Sequence, residues 1–585
     1  MNGRHQQFAR RALIAALLAG FASQASAQRI FYIDFTSGSD SNDGISAGTP
    51  WKRAPGDPLA SGQAAAMRLA AGDRLLFRGG VRYRGTININ RSGTAEMPIV
   101  YDGSGWGDRR AIIDGSDMLP RVTACTSQAA CLDSPHWQNL RRVAVPGTAR
   151  WSDWLFNGDH PMEMAQWPRI ANYWDYDDSR QMATIPLAKL NDLKAGFIAV
   201  PGVPKQLGGG SPVLALFHNT TDIEHSTDFA ISDAGIRFTQ AAYRPHSNQD
   251  NRFSIANSPS EVDAPGKFAL SPKDGMAIFW PREGNVASGM SIGSRRPGFV
   301  LQTVSHVKIR GFSFSNFASD NREGKHDVIS GVPIYGRLSS IGVQIHDNAI
   351  RAVVNHTRSA AIRMIRANDL DVRRNRLEFL PWSSAIYVSN GTGRAFIGCN
   401  IITRIGRNGI RVLNNYETEI TGNRIDQLEG MHGAGINLYL DNRIAVVRGN
   451  VITNARRPMT LHGDGGTPYF TGAAPPRLVI SGNTMLSNQP DYSGAAISSW
   501  GRGLQNVSLE GNFLSGHGTA IRFQGDETNI AMTGNQLVGQ LVTRAGQEPI
   551  TLANNLSFDP EGNGVTLNER ASHRWPDMRS CRTDG

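Results

Sequence analysis

The chain reads as an all-β solenoid, a stack of similar coils, and three observations predict it. An asparagine recurs after an alternating strand at Asn348, Asn375, Asn400, Asn423, Asn450, Asn483, Asn512 and Asn535, with intervals of 27, 25, 23, 27, 33, 29 and 23 residues. A fixed element at such a period marks coils that share one continuous core. Gly422, Gly449, Gly482, Gly511 and Gly534 each precede one of these asparagines, where the bend needs backbone angles that other residues resist. A small-then-apolar pair follows the first seven asparagines by 8 to 13 residues: Ala361-Ile362, Ala385-Ile386, Gly409-Ile410, Gly435-Ile436, Pro458-Met459, Ala496-Ile497 and Ala520-Ile521.

The asparagines have a physical reason. A turn inside a stack leaves backbone groups unpaired, and an amide can bond them while also bonding its counterparts above and below. Coils stack about 4.8 Å apart, so these eight asparagines span roughly 34 Å.

Composition fits such a fold. The 585 residues include 63 glycines and 19% charged residues, a turn-rich globular chain. The formal charge is +10, with 60 Lys+Arg against 50 Asp+Glu. That excess suits an anionic polymer or simply a soluble basic surface. No helix-turn-helix or paired zinc ligands point to nucleic acid. Residues 1–27 read as a secretory signal: Arg10 and Arg11 precede an apolar run from Ala12 to Phe21, and Ala25-Ser26-Ala27 offers a cleavage site. The run is too short to span a bilayer, and no later stretch is long enough. A secreted or periplasmic protein is expected, a monomer with no membrane span. Of the four cysteines, Cys125 and Cys131 are placed to close a small disulfide loop. Cys399 reads as a buried small residue within a repeat, with pairing to Cys581 left open.

After the signal come Phe31-Tyr32-Ile33-Asp34, the loop from Gly38 to Gly44, Thr49-Pro50-Trp51, and strands around Leu75-Leu76-Phe77 and Ile99-Val100-Tyr101. This series resembles the opening of secreted right-handed parallel β-helix proteins of the pectate-lyase-like superfamily. The segments Phe156-Asn157-Gly158-Asp159 and Asp263-Ala264-Pro265-Gly266 resemble parts of β-helix glycosidase-like proteins. The resemblance implies a right-handed parallel β-helix and a carbohydrate-active enzyme, a polysaccharide lyase or a glycoside hydrolase. The expected division is a cap with the first coils (28–120), a β-rich insertion (121–298), the main helix (299–560) and a polar tail (561–585). Six tryptophans (Trp137, Trp151, Trp154, Trp167, Trp174, Trp280) fall in the insertion and read as anchors of an irregular domain rather than sugar platforms.

Alternation decides which side chains leave the strand after each small-apolar pair outward. One outward column is Arg363, Tyr387, Arg411, Asn437, Thr460, Ser498 and Arg522; the next is Ile365, Ser389, Leu413, Tyr439, His462, Trp500 and Gln524. By the resemblance this is the floor of the substrate groove, walled by loops such as 378–382, with Trp382, and 426–432. Arginine forks suit carboxylates and aromatic faces suit sugars. Arg411, Tyr439 and His462 are therefore expected to surround one sugar, with Arg363, Tyr387, Trp382, Asn437, Trp500 and Arg522 as binding residues. This set suits β-elimination at a uronate of an acidic polysaccharide: an arginine neutralises the carboxylate, while His462 or Tyr439 takes the proton and the other protonates the leaving oxygen. His432 on the wall is a third proton-transfer candidate.

The competing chemistry is hydrolysis by a carboxylate pair drawn from Asp426, Glu429, Asp441, Asp464 and Glu378. A third alternative is a non-catalytic polysaccharide-binding or adhesin helix. No cofactor is expected. Calcium-dependent members of the superfamily use acidic clusters in the groove, and these two columns carry no carboxylate.

Overall fold

The computed structural model describes residues 28–558 except 169–181, 200–201, 218–222, 240–243, 248–249, 283–288, 295, 319–330, 355–358, 382, 429–432, 464, 466–467, 473–474, 488–493 and 545–549. The expected signal segment and polar tail lie outside the described residues. Each coil has three faces. Face one is a sheet of 13 strands running from Ile30–Ile33 through Ile99–Trp106 and Val307–Arg310 to Thr551–Ala553. After the asparagine turn comes face two, which includes Arg376–Leu380, Ile401–Ile405, Arg424–Leu428 and Val451–Ala455. Face three follows, with Ala360–Ile365, Ser384–Ser389, Ile410–Leu413, Ile436–Tyr439, Met459–His462 and Ile497–Trp500. Faces two and three join in one 21-stranded sheet whose pairs are parallel, as in a parallel β-helix.

The interior follows from alternation. On face one, Ile345, Val372, Ile397, Ile420, Val447, Ile480, Leu509 and Met532 stand in register, all buried. Six of these eight are β-branched Ile or Val, side chains that pack well when stacked coil on coil.

The asparagine ladder is continuous. Each rung repeats one pattern: Asn423 Oδ1 accepts from Asn400 N and Nδ2, both at 3.0 Å, and Asn423 Nδ2 donates to Ile397 O and Asn450 Oδ1, both at 2.9 Å. The ladder has a further rung at Asn555, which accepts from Asn535 N at 2.9 Å. The residue before each rung has left-handed backbone angles, from Asn554 at φ 54° to Gly534 at φ 65°. Glycine serves in five coils; Asp347, Arg374, Cys399 and Asn554 tolerate the same angles in the others.

Two small residues of face three have a steric cause. A Cβ on Gly409 would stand 2.6 Å from Gly435 O, and one on Gly435 would stand 2.5 Å from Pro458 O. Successive coils touch there through bare backbone.

The first coils are interrupted and then resumed: Ile99–Trp106 pairs in parallel with Val307–Arg310, two hundred residues later. Between them, sheets that are antiparallel except where Glu163–Met164 pairs with Lys267–Ser271 span Ser116–Met118 to Met290–Gly293. They rest on the coils: Ala318 and Val354 share an apolar cluster with Trp154, Phe156 and Phe268, and Arg82 bonds Asp159 at 2.7 Å. Trp154 is buried and donates to Met162 O at 2.7 Å. Trp137, Trp151, Trp167 and Trp280 are half-buried, and Trp174 lies outside the described residues. At the N-terminus Trp51 is fully buried, stacked on Phe31 at 4.9 Å, and closes the first coil.

Cys125 and Cys131 form a disulfide with Cα atoms 5.8 Å apart. Cys399 corrects the expectation of a buried small residue: it is partly exposed on the left-handed position before Asn400, and it is disulfide-bonded. Its partner is outside the described residues.

Candidate functional site

Face three carries the expected first column in unbroken register, each residue beside the next from Arg363 through Tyr387, Arg411, Asn437, Thr460 and Ser498 to Arg522. In the second column Ser389, Leu413 and Tyr439 follow one another, and His462 pairs with Trp500. Gln524 falls beyond the end of the strand at Arg522 and is exposed.

The side chains of the two columns form one stack. Arg363 Cζ lies 5.3 Å from the centre of the Tyr387 ring, and Arg411 Cζ lies 5.6 Å from Tyr387 and 4.9 Å from Tyr439. Tyr439 and His462 rings are 4.6 Å apart, His462 and Trp500 are 5.0 Å apart, and Arg457 closes the series 5.5 Å from Trp500. Each guanidinium is attracted by the electron-rich face of a ring. Arg411 thus packs against two rings, Tyr387 and Tyr439.

The environment fixes the protonation of His462. Burial, then the charges of Arg411 and Arg457, push its pKa down to about 4. The imidazole is therefore neutral near pH 7, with a nitrogen able to accept a proton.

The floor is more covered than outward-pointing residues suggest. Arg363 is 7% exposed, Thr460 2% and Ser498 0%. Asn437 Nδ2 donates to Thr460 Oγ1 at 2.8 Å, so part of the column satisfies itself.

The carboxylates are placed differently from the expected wall. Asp426 is in the strand Arg424–Leu428 on face two, not in a loop, and accepts from Thr453 Oγ1 at 2.7 Å and Asn454 Nδ2 at 2.8 Å. Glu378 is likewise in Arg376–Leu380, 3.2 Å from Arg376. The strands run further before turning than residue type alone indicates, because Leu380 and Leu428 are still buried in the core. Asp441 is buried against Arg443 at 2.8 Å. Glu429, His432, Trp382 and Asp464 lie outside the described residues.

Three features were not legible from the sequence. Arg457 reaches Trp500 from the turn before face three. Its signal was the basic pair Arg456-Arg457 just ahead of Pro458-Met459. Arg407 occupies the same turn two coils earlier, with Nε and Nη1 buried and without a hydrogen-bond partner. On the other side, Leu440, Asn442, Gly463, Pro476, Gly503 and Gln505 line a pocket that includes His462. Among the described residues, no three His, Cys, Asp or Glu side chains cluster to hold a metal ion.

The parallel coils, the asparagine ladder and the stacked outer face define a parallel β-helix protein. Residues 360–537 match the family model described as "Right handed beta helix region". No curated protein matches the sequence significantly. Among solved structures the chain is similar to one described as "Glycoside hydrolase", with 12% identity over 93% of this chain and 100% of that one, at a TM-score of 0.49. It is also similar to XylC in complex with xylose (14% identity, 93% of this chain and 79% of that one, TM-score 0.42). A third is the GH136 lacto-N-biosidase from Eubacterium ramulus (11% identity, 90% and 67%, TM-score 0.38).

Proposed function

We propose that the chain is an exported enzyme that binds an acidic polysaccharide along face three and cleaves it by β-elimination at a uronate. One observation carries this: Arg411, Tyr439 and the neutral His462 are consecutive members of a single stack. Arg411 neutralises the uronate carboxylate, which acidifies the adjacent C–H. His462 takes that proton, the C–O bond to the leaving sugar breaks, and the Tyr439 hydroxyl protonates the departing oxygen. The electron pair of the broken C–H bond becomes a carbon–carbon double bond. Substrate binding assists the base. A carboxylate placed on Arg411 offsets one of the two positive charges that depress His462, so its basicity rises in the complex. Arg522 supplies a further cationic contact along the groove and Tyr387 and Trp500 supply ring faces, with Arg363 and Arg457 buried against those rings. The bonded state of Cys125, Cys131 and Cys399 supports an oxidising compartment.

The alternative is hydrolysis by two carboxylates; among the described candidates Asp426, Glu378 and Asp441 each hold a partner, and Glu429 and Asp464 lie outside the described residues. The deciding experiment is incubation with polygalacturonate, alginate and gellan, following both ultraviolet absorbance of an unsaturated end and new reducing ends. The reaction proposed gives both signals, and His462→Ala abolishes them while the circular dichroism spectrum is retained. Reducing ends without absorbance would overturn elimination in favour of hydrolysis. Retained binding with no cleavage would leave a non-catalytic binding helix.

A further inference from the structure

Face one has outward columns of its own. Register places Val100, Lys308, Gln344 and Asp371 side by side in one, and Asp102, Arg310, His346 and Arg373 in the next. The arginines here are matched by carboxylates. Arg74 and Arg310 both reach the buried Asp102, at 3.2 Å and 2.7 Å. Arg373 Nε donates to Asp371 Oδ1 at 2.7 Å, and Arg374 Nε donates to Asp347 Oδ1 at 2.8 Å. His346 is buried with Nε2 3.1 Å from Asp371, and burial holds its pKa below the usual value, so it adds no charge near pH 7. Lys308 is the exception. Among the described residues its ammonium makes no hydrogen bond or ion pair, and the side-chain amide of Gln344 makes none either. Both side chains are half-buried, so solvent still reaches them. Burial lowers the Lys308 pKa and the charges of Arg310 and Arg374 lower it further, against Asp347 and Asp371, which raise it. Five cations, Lys308 and the four arginines, meet only three carboxylates. Lys308 is the one left without an anion at bonding distance.

We infer that Lys308 and Gln344 form an oxyanion site on face one, a second holding point for an anionic polysaccharide outside the groove of face three. The inference rests on the anionic polymer proposed above but not on its cleavage. The ligand class follows from the donors. The ammonium is a point charge and the amide a directed N–H, and both suit the oxygens of a carboxylate or a sulfate ester. Adjacent coils place the two residues about 4.8 Å apart, close enough for one oxyanion to accept from both. Arg310, about 6.6 Å along the strand from Lys308, adds attraction while keeping Asp102. A polymer is the fitting carrier. A lone anion at an exposed ion pair gains little, whereas a chain already held on face three presents further anions at high effective concentration.

The test is biolayer interferometry on immobilised polygalacturonate, dextran sulfate and uncharged dextran, with His462→Ala in every protein so that no chain is cut. Lys308→Gln is expected to weaken binding to one of the two polyanions about tenfold, the loss of a charged hydrogen bond. The polymer that responds shows whether the site takes carboxylate or sulfate. Lys308→Arg keeps the charge and is expected to bind within about twofold of the parent. Lys273→Gln removes an equal charge at an exposed position and is expected to change binding by less than about twofold. Equal losses in Lys308→Gln and Lys273→Gln, or a loss in neither, would overturn the site, as would binding to neither polyanion. Cleavage is read separately: with His462 intact, Lys308→Gln should cut short uronate oligomers at a rate within about twofold of wild type. The site can therefore fail while the reaction stands, and the reaction can fail while the site is still decided by binding.

Discussion

Replacing Asn423 by alanine tests the ladder at a buried rung. The side chain is 1% exposed. Its removal orphans the Asn400 N–H, which donates to Asn423 Oδ1 at 3.0 Å. It also takes one bond each from Asn400 Nδ2, Ile397 O and Asn450 Oδ1 and a longer one, at 3.3 Å, from Thr421 O, although Asn400 Nδ2 keeps Val372 O at 2.9 Å, Asn450 Oδ1 keeps Asn423 N at 2.9 Å and Thr421 O keeps Cys399 N at 3.0 Å. An orphaned buried donor costs about 1–3 kcal/mol and each lost bond about 1 kcal/mol, so the expected loss is about 4–6 kcal/mol. Asn555 is the control. It closes the same pattern on Asn535, but it is only half-buried and water reaches the turn. Asn555→Ala should cost about 1 kcal/mol or less. Urea unfolding followed by tryptophan fluorescence gives both values, provided the transition is reversible. Losses within about 1 kcal/mol of each other would refute the account, because burial would then not decide the cost.

Gly435→Ala forces a Cβ to within 2.5 Å of Pro458 O and 2.6 Å of Ile452 Cγ2. A loss of about 1–3 kcal/mol is expected, measured in the same unfolding assay. Since the His462 pKa falls from 6.5 in the unfolded chain to about 4 in the folded one, the unfolded chain binds the proton first. Stability therefore declines as pH falls from about 6.5 to about 4, by up to about 3 kcal/mol from this group. His462→Phe, which keeps a ring between Tyr439 and Trp500, should flatten that part of the pH profile relative to wild type. Arg411→Lys keeps the charge and loses the planar fork held by Tyr387 and Tyr439. It is expected to lower kcat/KM by about a hundredfold with unfolding little changed, read from initial rates.

What periodicity controls was legible in advance. Asparagines at regular intervals gave the coils, and two-residue alternation placed Arg363 to Arg522 in one column and Tyr439, His462 and Trp500 in the next. What depends on where a strand stops was not. Asp426 and Glu378 look like turn residues by type, yet buried Leu428 and Leu380 pull both into strands. The ninth rung, Asn555, follows Asn535 by only 20 residues, below the 23 to 33 of the other intervals, so periodicity did not announce it. The commitment of Asp441 to Arg443 and Phe470 joins two separate turns, and no local pattern announces it.

The ladder has a consequence for how such a groove can change. Each asparagine reaches no further than its own turn and the coils before and after it, and the core column does the same. Nothing in a middle coil records how many coils lie beyond it. Gaining or losing one whole coil would leave every remaining rung satisfied and shift the groove by about 4.8 Å, while a gain of two or three residues in a strand would break the ladder. Binding length is thus quantised by the backbone. Side-chain substitutions along a fixed column can then alter which sugar each step holds without disturbing the count.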